Sequence, residues 1–442
     1  MKRQIWDDLL DWKSKNDQKP LIIRGVRQCG KTWLLKTFGE TCYEQYAYFN
    51  FEGNPRLQTI FDIDLDPERI LHELEILQNK KINVANSLII FDEIQFCNKA
   101  LTSLKYFNEQ KPEISIVAAG SLLGLALAKP LSFPVGKVEF LDLYPLSFQE
   151  FLLALGEEMM IEKLTQLVAG ERIPESMHPR LIELLHLYYF VGGMPEAVQS
   201  WVRHQDPDEV TRIQNAILDS YELDFAKHSP AHEFEKLSAI WHSVPAQLAL
   251  ENQKFIFSRA KESARGRDLE SALQWLVSAG LVYKVTKIEK PGVPLSAYAD
   301  DSFFKLYLCD VGLLRAMADI PLISIRHKDT LFSEFSGAMA ENFVLSELMV
   351  YKHKPFFWRS KQSAEVAFIC RIGRHIVPIE VKAADRVRSR SLGVYVKAYE
   401  PKIAIRLSTK NAGAEPPLFS EPLYLINRLN DWFGPVADLP EL

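Results

Sequence analysis

Short apolar runs alternate with amphipathic segments along the first third of the chain. The runs lie at 21–24, 46–51, 87–92 and 114–119, and the segment after the first run has apolar residues at helical spacing, namely Trp33, Leu34, Leu35 and Phe38. Buried strands that alternate with helices are typical of a parallel sheet. The pattern therefore predicts an α/β core over residues 1–149.

The pattern changes beyond this core. Helical periodicity replaces the strands from Phe148 to about Phe225, which predicts a helical lid over 150–226. Two helical segments and two strand-like runs follow between 234 and 310, an order typical of a winged helix, here 227–325. Residues 326–442 combine a helix, a hairpin-like pair of strands at 364–382, a second helix and a strand at 401–408. We therefore predict a second α/β domain at this end.

The run at 21–24 leads directly into Gly25, four spacer residues, Gly30, Lys31 and Thr32. This is the spacing of a Walker A phosphate loop, in which backbone N–H groups surround a phosphate, the lysine reaches the outer phosphates and the threonine hydroxyl ligates Mg²⁺. A coincidental glycine-rich turn is the alternative, but a strand and a helix flank the motif as it requires. The predicted ATP contacts are Gly25, Val26, Arg27, Gln28, Cys29, Gly30, Lys31, Thr32 and Trp33.

The run at 87–91 ends in Asp92 and Glu93, the pattern of the second half of such a site. We predict that Asp92 holds Mg²⁺ through water and that Glu93 orients and deprotonates the attacking water. The alternative is a buried strand that ends in a solvated acidic turn. A further strand-like run, 46–51, lies between the two motifs, and this insertion resembles the additional-strand division of ATPases, whose members use a catalytic glutamate.

Ser121 and the pair Gly193 and Pro195 are further candidate residues of the nucleotide site. Ser121 follows the run at 114–119, where its hydroxyl could contact the γ-phosphate or the attacking water, because ligands of open parallel sheets bind outside the carboxyl ends of the strands. An N-cap of the next helix is the alternative. Gly193 and Pro195 resemble the GxP element of ATPase lids that packs on the nucleotide base, and an ordinary helix-breaking turn has the same composition.

Composition restricts the class of protein. The 442 residues are 47% apolar and 25% charged, which describes a folded soluble chain of several domains. The net charge of −5 means that any nucleic-acid contact must come from a local basic patch. Five cysteines without paired spacing argue against a zinc site or a disulfide framework. With no signal-like start and no run of eighteen apolar residues, we expect a cytoplasmic protein without membrane contact.

Motifs spread over residues 15–425 resemble a large prokaryotic family of AAA-type ATPases; they include GVRQCGKT, LIIFDEIQ, YYFVGGMPEAV, FKLYLCDVGLL, AENFVLSEL and VPIEVK. The resemblance implies a P-loop ATPase core with a helical lid, a winged-helix domain and a C-terminal restriction-endonuclease-like α/β domain of the PD-(D/E)XK type. Relatives often have Gly-Arg where this chain has Gly136 and Lys137, which implies that Lys137 is a charge partner of the nucleotide.

The same resemblance implies a metal site in the last domain. Glu380 and Lys382 form an ExK triplet whose two polar side chains share one face of a strand, and the glutamate would bind Mg²⁺ while the lysine assists water. Glu341 is a further candidate ligand. Family members usually have aspartate at the position of Ala367, so we expect weak or absent nuclease activity. Glu365 is a poor substitute, because two residues along a strand shift it by about 6.8 Å.

Two sets of cations are candidates for DNA contact, with a solvated surface as the alternative. They are Lys254, Arg259, Lys261, Arg265 and Arg267 near the winged helix, and Arg359, Lys361, Lys382, Arg386, Arg388 and Arg390 near the C-terminus. We therefore expect an ATP-driven switch or motor with a DNA-directed, nuclease-like output. An ATP-regulated protein-interaction switch, for example in defence or toxin regulation, is the alternative, and homo-oligomer formation stays open.

Overall fold

The computed structural model describes residues 1–121, 136–228, 231–250, 253–383 and 390–434. They form two compact units. The first unit contains Lys2–Tyr144 and Ser278–Leu281, and the second is built from Pro145–Val277 and Val282–Leu442. We describe each unit by itself.

A five-stranded parallel sheet forms the centre of the first unit. Its strands lie in the order β2-β3-β4-β1-β5. They are β1 (Leu21–Arg24), β2 (Gln45–Asn50), β3 (Ser87–Asp92), β4 (Ser115–Gly120) and β5 (Glu139–Asp142). The four apolar runs therefore form strands as predicted, and β4 separates the strand of the P-loop from the strand that ends in Asp92.

The helices of this unit begin where the sequence supplies helix caps. They are α1 (Ile5–Lys13), α2 (Lys31–Cys42), α3 (Pro55–Ile63), α4 (Pro67–Gln78) and α5 (Asn98–Gln110). Asn54 and Asp66 accept backbone N–H bonds at the starts of α3 and α4, and each is followed by proline at the first helical position. These capping signals determine where α3 and α4 begin in the segment between β2 and β3.

Strand β3 is buried along its whole length, which explains its unbroken apolar sequence. Three phenylalanines pack against one another beside it, with ring centroids 5.5 Å apart for Phe51–Phe61 and Phe51–Phe91 and 5.8 Å apart for Phe61–Phe91. This packing anchors the strand whose carboxyl end presents Asp92 and Glu93.

The second unit begins with a helical region, as the periodicity from Phe148 to Phe225 predicts. Its helices are α6 (Phe148–Ala154), α7 (Glu158–Thr165), α8 (His178–Val191), α9 (Pro195–His204), α10 (Pro207–His228), α11 (Ala231–Leu248), α12 (Phe257–Ala260), α13 (Gly266–Ser278, which ends at the unit boundary), α14 (Val311–Met317), α15 (Leu322–His327), α16 (Thr330–Val350), α17 (Arg390–Tyr399) and α18 (Leu429–Phe433). Within the described residues, no helix is long and apolar enough to span a membrane.

One eight-stranded sheet runs through the rest of the second unit. Its strands are β6 (Val282–Ile288), β7 (Ala299–Leu308), β8 (Phe356–Arg359), β9 (Glu365–Ile372), β10 (His375–Val381), β11 (Ala404–Ser408), β12 (Gly413–Glu415) and β13 (Leu418–Pro422). They lie in the order β12-β13-β11-β10-β9-β8-β6-β7.

This sheet crosses the predicted boundary between domains at 227–325 and 326–442. The two strands expected to form the wing, β6 and β7, are antiparallel neighbours, but β6 also pairs in parallel with β8 through Lys287–Phe357 and Ile288–Trp358. An open strand edge carries unpaired backbone groups, and β8 satisfies part of the β6 edge. Apart from Ser278–Leu281, which belong to the first unit, the residues of both predicted domains lie in one compact unit.

Candidate functional site

The loop between β1 and α2 has the backbone geometry that phosphate binding requires. Gly30 has φ of +95° and Gln28 has φ of +66°. A Cβ on Gly25 would lie 2.2 Å from the Leu143 carbonyl oxygen, so only glycine fits there. The first bond inside the helix runs from the Leu34 N–H to the Gly30 carbonyl at 3.0 Å. The N–H groups before it lie at the positive end of the helix dipole, where anions bind favourably.

Lys31 lies inside this loop and is 6% exposed. Its ammonium donates to the carbonyls of Gly25 and Val26 at 2.9 and 2.8 Å. Two backbone carbonyls of the loop therefore hold the Lys31 ammonium in place. Trp33, predicted as part of the apolar face, is half exposed, so Leu34, Leu35 and Phe38 form the buried side of α2.

The two predicted halves of the nucleotide site meet at Asp92, which is 1% exposed. Its Oδ2 accepts from the Thr32 hydroxyl at 2.7 Å and from the Tyr48 hydroxyl at 2.8 Å, and its Oδ1 accepts from the Glu93 N–H at 3.0 Å. Hydroxyl and carboxylate oxygens are the ligands that Mg²⁺ prefers. The residues present therefore fit a magnesium–nucleotide complex.

Sequence reasoning predicted the strand 46–51 but assigned Tyr48 no role. The register of β2 against β3 sets Asn50 opposite Asp92, and this brings the Tyr48 hydroxyl to the carboxylate. Burial raises the pKa of the Tyr48 phenol, and the bond to Asp92 raises it further, so the hydroxyl stays a donor at neutral pH. The sequence signal was a tyrosine near the end of a strand that neighbours the Asp92 strand.

Glu93 and Ser121 lie together at the carboxyl ends of β3 and β4. Glu93 has φ of +51°, a left-handed conformation that glutamate rarely adopts. Its Oε2 accepts from the Ser121 hydroxyl at 3.3 Å and also from the Gln95 side-chain amide. Two residues proposed separately from the sequence are thus in contact, and the glutamate carboxylate has a defined orientation.

Lys137 lies away from this group, and its predicted role as a charge partner of the nucleotide stays a prediction. Its ammonium pairs with Glu109 at 3.1 Å. It precedes β5, whose first residue Glu139 is opposite Leu21, the first residue of β1. Lys137 therefore sits at the amino edge of the parallel sheet, whereas the P-loop follows the carboxyl edge.

Gly193 and Pro195 belong to the second unit, where the glycine backbone has other partners. The Gly193 N–H donates to Asp310 Oδ2 at 2.6 Å, and its carbonyl accepts from the Leu146 N–H at 2.7 Å. A Cβ there would lie 2.2 Å from the Leu146 carbonyl oxygen. Close packing within the unit explains this glycine, and Pro195 starts α9. Contact of the turn with a nucleotide base stays a prediction.

The ExK triplet lies on β10 and just beyond it. The Lys382 ammonium is 2.7 Å from Glu380 Oε1, so both side chains project to one face of the strand. The β9–β10 ladder ends with Ile379 opposite Phe368, and Glu380 and Ala367 are the next residues of the two strands. Glu380 and Ala367 are both buried, and Ala367 carries a methyl group where a metal site would need a carboxylate.

Glu341 lies in contact with a buried lysine, and its predicted role as a metal ligand stays a prediction. Lys305, only 1% exposed, places its ammonium 2.6 Å from Glu365 Oε1 and 3.4 Å from Glu341 Oε2. The Tyr307 hydroxyl donates to the same Glu341 oxygen at 2.7 Å. Among the residues that the structure describes, no group of three or more His, Cys, Asp and Glu side chains could hold a metal ion. A buried ammonium pairs with Glu341 instead.

Several candidate DNA-binding cations have partners within the protein. The Lys261 ammonium is 3.3 Å from Glu235, and Arg359 is 3.7 Å from Glu365. Lys254 lies over the Phe303 ring, 4.3 Å from its centroid. Arg386 and Arg388 lie outside the described residues. Lys261 and Arg359 would therefore have to exchange a carboxylate partner for a phosphate to bind DNA.

Three family models match separate parts of the chain. Residues 17–152 match an AAA domain, residues 182–323 match a domain of unknown function (DUF8612), and residues 336–416 match another domain of unknown function (DUF4143). No curated protein matches the chain.

Solved structures resemble the chain at low sequence identity. A Walker-type ATPase of Pyrococcus abyssi is 13% identical, with 71% of this chain and 95% of that chain covered and a TM-score of 0.43. A STAND signal-transduction ATPase with a tetratricopeptide repeat sensor, from Pyrococcus horikoshii, is 13% identical, with 79% and 45% covered and a TM-score of 0.28. The Hsp104–ADP complex of S. cerevisiae is 13% identical, with 80% and 44% covered and a TM-score of 0.27. Residues 17–152 therefore match an AAA domain, and this segment holds both the P-loop and the Asp92 carboxylate that contacts it.

Proposed function

We propose that the first unit binds ATP with Mg²⁺ and hydrolyses it, and that the chain works as an ATP-driven switch. The observation that carries this proposal is the 2.7 Å hydrogen bond from the Thr32 hydroxyl to Asp92. It joins the end of the phosphate loop to the strand-end carboxylate, the two parts that a P-loop ATPase needs in contact.

Each residue of the site has a separate task in this proposal. The N–H groups at the start of α2 and the Lys31 ammonium hold phosphate oxygens. Thr32 and Asp92 would hold Mg²⁺, and the ion would supply neutralisation of the charge on the phosphoryl oxygens. Glu93 accepts a proton from the attacking water, and Ser121 keeps the Glu93 carboxylate in place through its bond to Oε2.

Separate measurements of ATP binding and ATP turnover test this assignment. Glu93→Gln keeps the size of the side chain but removes the base, so we expect turnover to fall by about 10²- to 10⁴-fold while binding persists. Lys31→Ala should lose binding or its productive geometry. Lys15→Met is the matched control, because this lysine pairs with Glu139 at the amino edge of the sheet, opposite the edge that the P-loop follows. Undiminished hydrolysis by Glu93→Gln would contradict the assignment.

We propose further that the second unit is the output of the switch and acts on DNA by binding. The resemblance of residues 326–442 to PD-(D/E)XK nucleases suggests DNA as the partner. The methyl group of Ala367, one residue beyond the last β9–β10 pair, together with the pairing of Lys305 with Glu341 and Glu365, favours binding without cleavage. A protein partner is the second candidate, favoured by the cations that already have partners within the unit.

The dependence of DNA affinity on salt distinguishes these outputs. Contacts with phosphates release counterions, so log affinity falls linearly with log salt concentration when DNA is bound through lysine and arginine. We expect a clear slope for duplex DNA with the full chain, in the presence and absence of ATP. Absence of DNA binding at low salt would favour the protein-interaction switch.

A further inference from the structure

We propose that Tyr48 is a positioning residue that sets the affinity of the nucleotide site for Mg²⁺ by holding the Asp92 carboxylate. This inference rests on the proposed function of the first unit. Tyr48 would touch neither the metal nor the nucleotide; it acts through Asp92.

The contacts of Asp92 support this role. The hydroxyls of Tyr48 and Thr32 reach the same oxygen, Oδ2, from two different elements, β2 and the start of α2. The Glu93 N–H occupies the other oxygen, Oδ1. A carboxylate with donors on both oxygens has a fixed rotation, and its remaining lone pairs point in set directions.

The phenol ring is itself held in place. The Lys36 ammonium of α2 lies 3.9 Å from the centroid of the Tyr48 ring. The β2–β3 pairing, with Tyr48 opposite Ile90 and Asn50 opposite Asp92, fixes the distance between the tyrosine backbone and the carboxylate. The position of β2 therefore determines where the Tyr48 hydroxyl holds the Asp92 carboxylate.

Loss of this hydroxyl should weaken the metal site more than the phosphate site. Mg²⁺ demands nearly ideal octahedral geometry, so a carboxylate that can rotate serves it poorly. Hydrogen-bond partners of metal ligands typically contribute about 10- to 100-fold to metal affinity. The phosphate contacts of the P-loop do not depend on Tyr48.

The test measures binding of N-methylanthraniloyl-ADP to the full-length protein with Mg²⁺ and with EDTA. For Tyr48→Phe we expect the gain in nucleotide affinity on adding Mg²⁺ to fall about tenfold, with unchanged affinity in EDTA and an unchanged melting temperature. Tyr46→Phe is the matched control: it lies two positions earlier on β2 and its hydroxyl donates to Glu40 at 3.2 Å. It should behave as the unsubstituted protein does.

Addition of Tyr48→Phe to an Asp92→Asn background shows whether the tyrosine acts through Asp92. We expect no further loss of Mg²⁺ dependence in the double variant. An equal loss in both backgrounds, or a Tyr48→Phe protein with normal Mg²⁺ dependence, would overturn the inference while leaving the ATPase proposal in place. Failure of the unsubstituted protein to bind the nucleotide would overturn both.

Discussion

The backbone of Glu93 has a strained conformation. A left-handed conformation at a residue other than glycine costs on the order of 1–3 kcal/mol and persists only where the surroundings impose it. At Glu93 the surroundings are the bond from its own N–H to Asp92 and the contacts of its carboxylate with Ser121 and Gln95. The strain therefore coincides with the residue to which we assign the catalytic base.

Removal of the Ser121 hydroxyl should separate orientation from binding. For Ser121→Ala we expect the ATP turnover number to fall about tenfold with little change in nucleotide affinity, because the lost bond orients Glu93 and not the phosphates. Ser115→Ala is the control, since this serine begins β4, the strand that Ser121 follows, and donates to Gln18 at the amino edge. Steady-state ATPase rates and equilibrium binding measure the two quantities. A larger effect at Ser115 than at Ser121 would contradict this role.

Ala367→Asp should restore a second carboxylate beside Glu380. Residues opposite each other on paired strands have Cβ atoms about 5 Å apart, close enough to share a divalent cation. We expect Mg²⁺ or Mn²⁺ to raise the melting temperature of the variant and to support cleavage of DNA or RNA that Glu380→Ala or Lys382→Ala abolishes. DNA binding without cleavage under either metal would make the second unit a binding platform. Robust cleavage by the unsubstituted chain would contradict our account of the site.

At the scale of elements, the pattern of the chain predicts strands and caps well and long-range contacts poorly. The apolar run at 114–119 forms β4, and the P-loop directly follows β1, the strand that the run at 21–24 forms. These features depend on neighbouring residues. The Tyr48–Asp92 bond depends on the register between two strands, and the Lys305 contacts depend on how β7, α16 and β9 converge. The spacing of apolar residues along the chain determines neither the register between two strands nor which distant elements pack together.

Lys305 joins three elements of the second unit, and its removal should destabilise them. Lys305→Met leaves the carboxylates of Glu341 and Glu365 without their buried cation, so we expect a loss of about 3 kcal/mol in the free energy of unfolding. Lys261→Met, which breaks an exposed pair with Glu235, should cost less than about 1 kcal/mol. Chemical denaturation of the two variants measures the difference. Equal costs would show that the buried cluster contributes no more than a surface pair.

The junction of α6 and α16 should be sensitive to pH. Burial raises the pKa of Glu347 from its usual 4.5 to about 8, although its carboxylate accepts the Phe148 N–H at 2.7 Å. The folded state therefore holds this proton more tightly than the unfolded state. The stability contribution is complete below the unfolded pKa and is lost as the pH rises through the folded pKa.

Glu347→Gln can still accept the Phe148 N–H but has no charge to bury. We expect the variant to gain stability relative to the unsubstituted protein between pH 5 and pH 8, on the order of 3 kcal/mol. Melting temperatures across this range, compared pairwise at each pH, give the difference. Parallel curves would show that Glu347 does not titrate on unfolding.

At the scale of the whole molecule, one continuous sheet of the second unit is covered by two separate family matches. One match ends at residue 323 and the other begins at 336, yet strands from both sides, β6 and β8, are hydrogen-bonded neighbours. We expect fragments cut at 325/326 to be insoluble because each exposes a strand edge and part of the core. Soluble, cooperatively folded fragments would contradict this.

The same pairing limits how this protein can vary in evolution. A gene that exchanged only the segment after residue 325 would bring in a strand β8 selected against a different β6, with a different register and a different apolar face. Such hybrids would fold only if both sides of the ladder had changed together. The two segments of unknown function should therefore be inherited as a pair, with matched substitutions concentrated at Lys287, Ile288, Phe357 and Trp358.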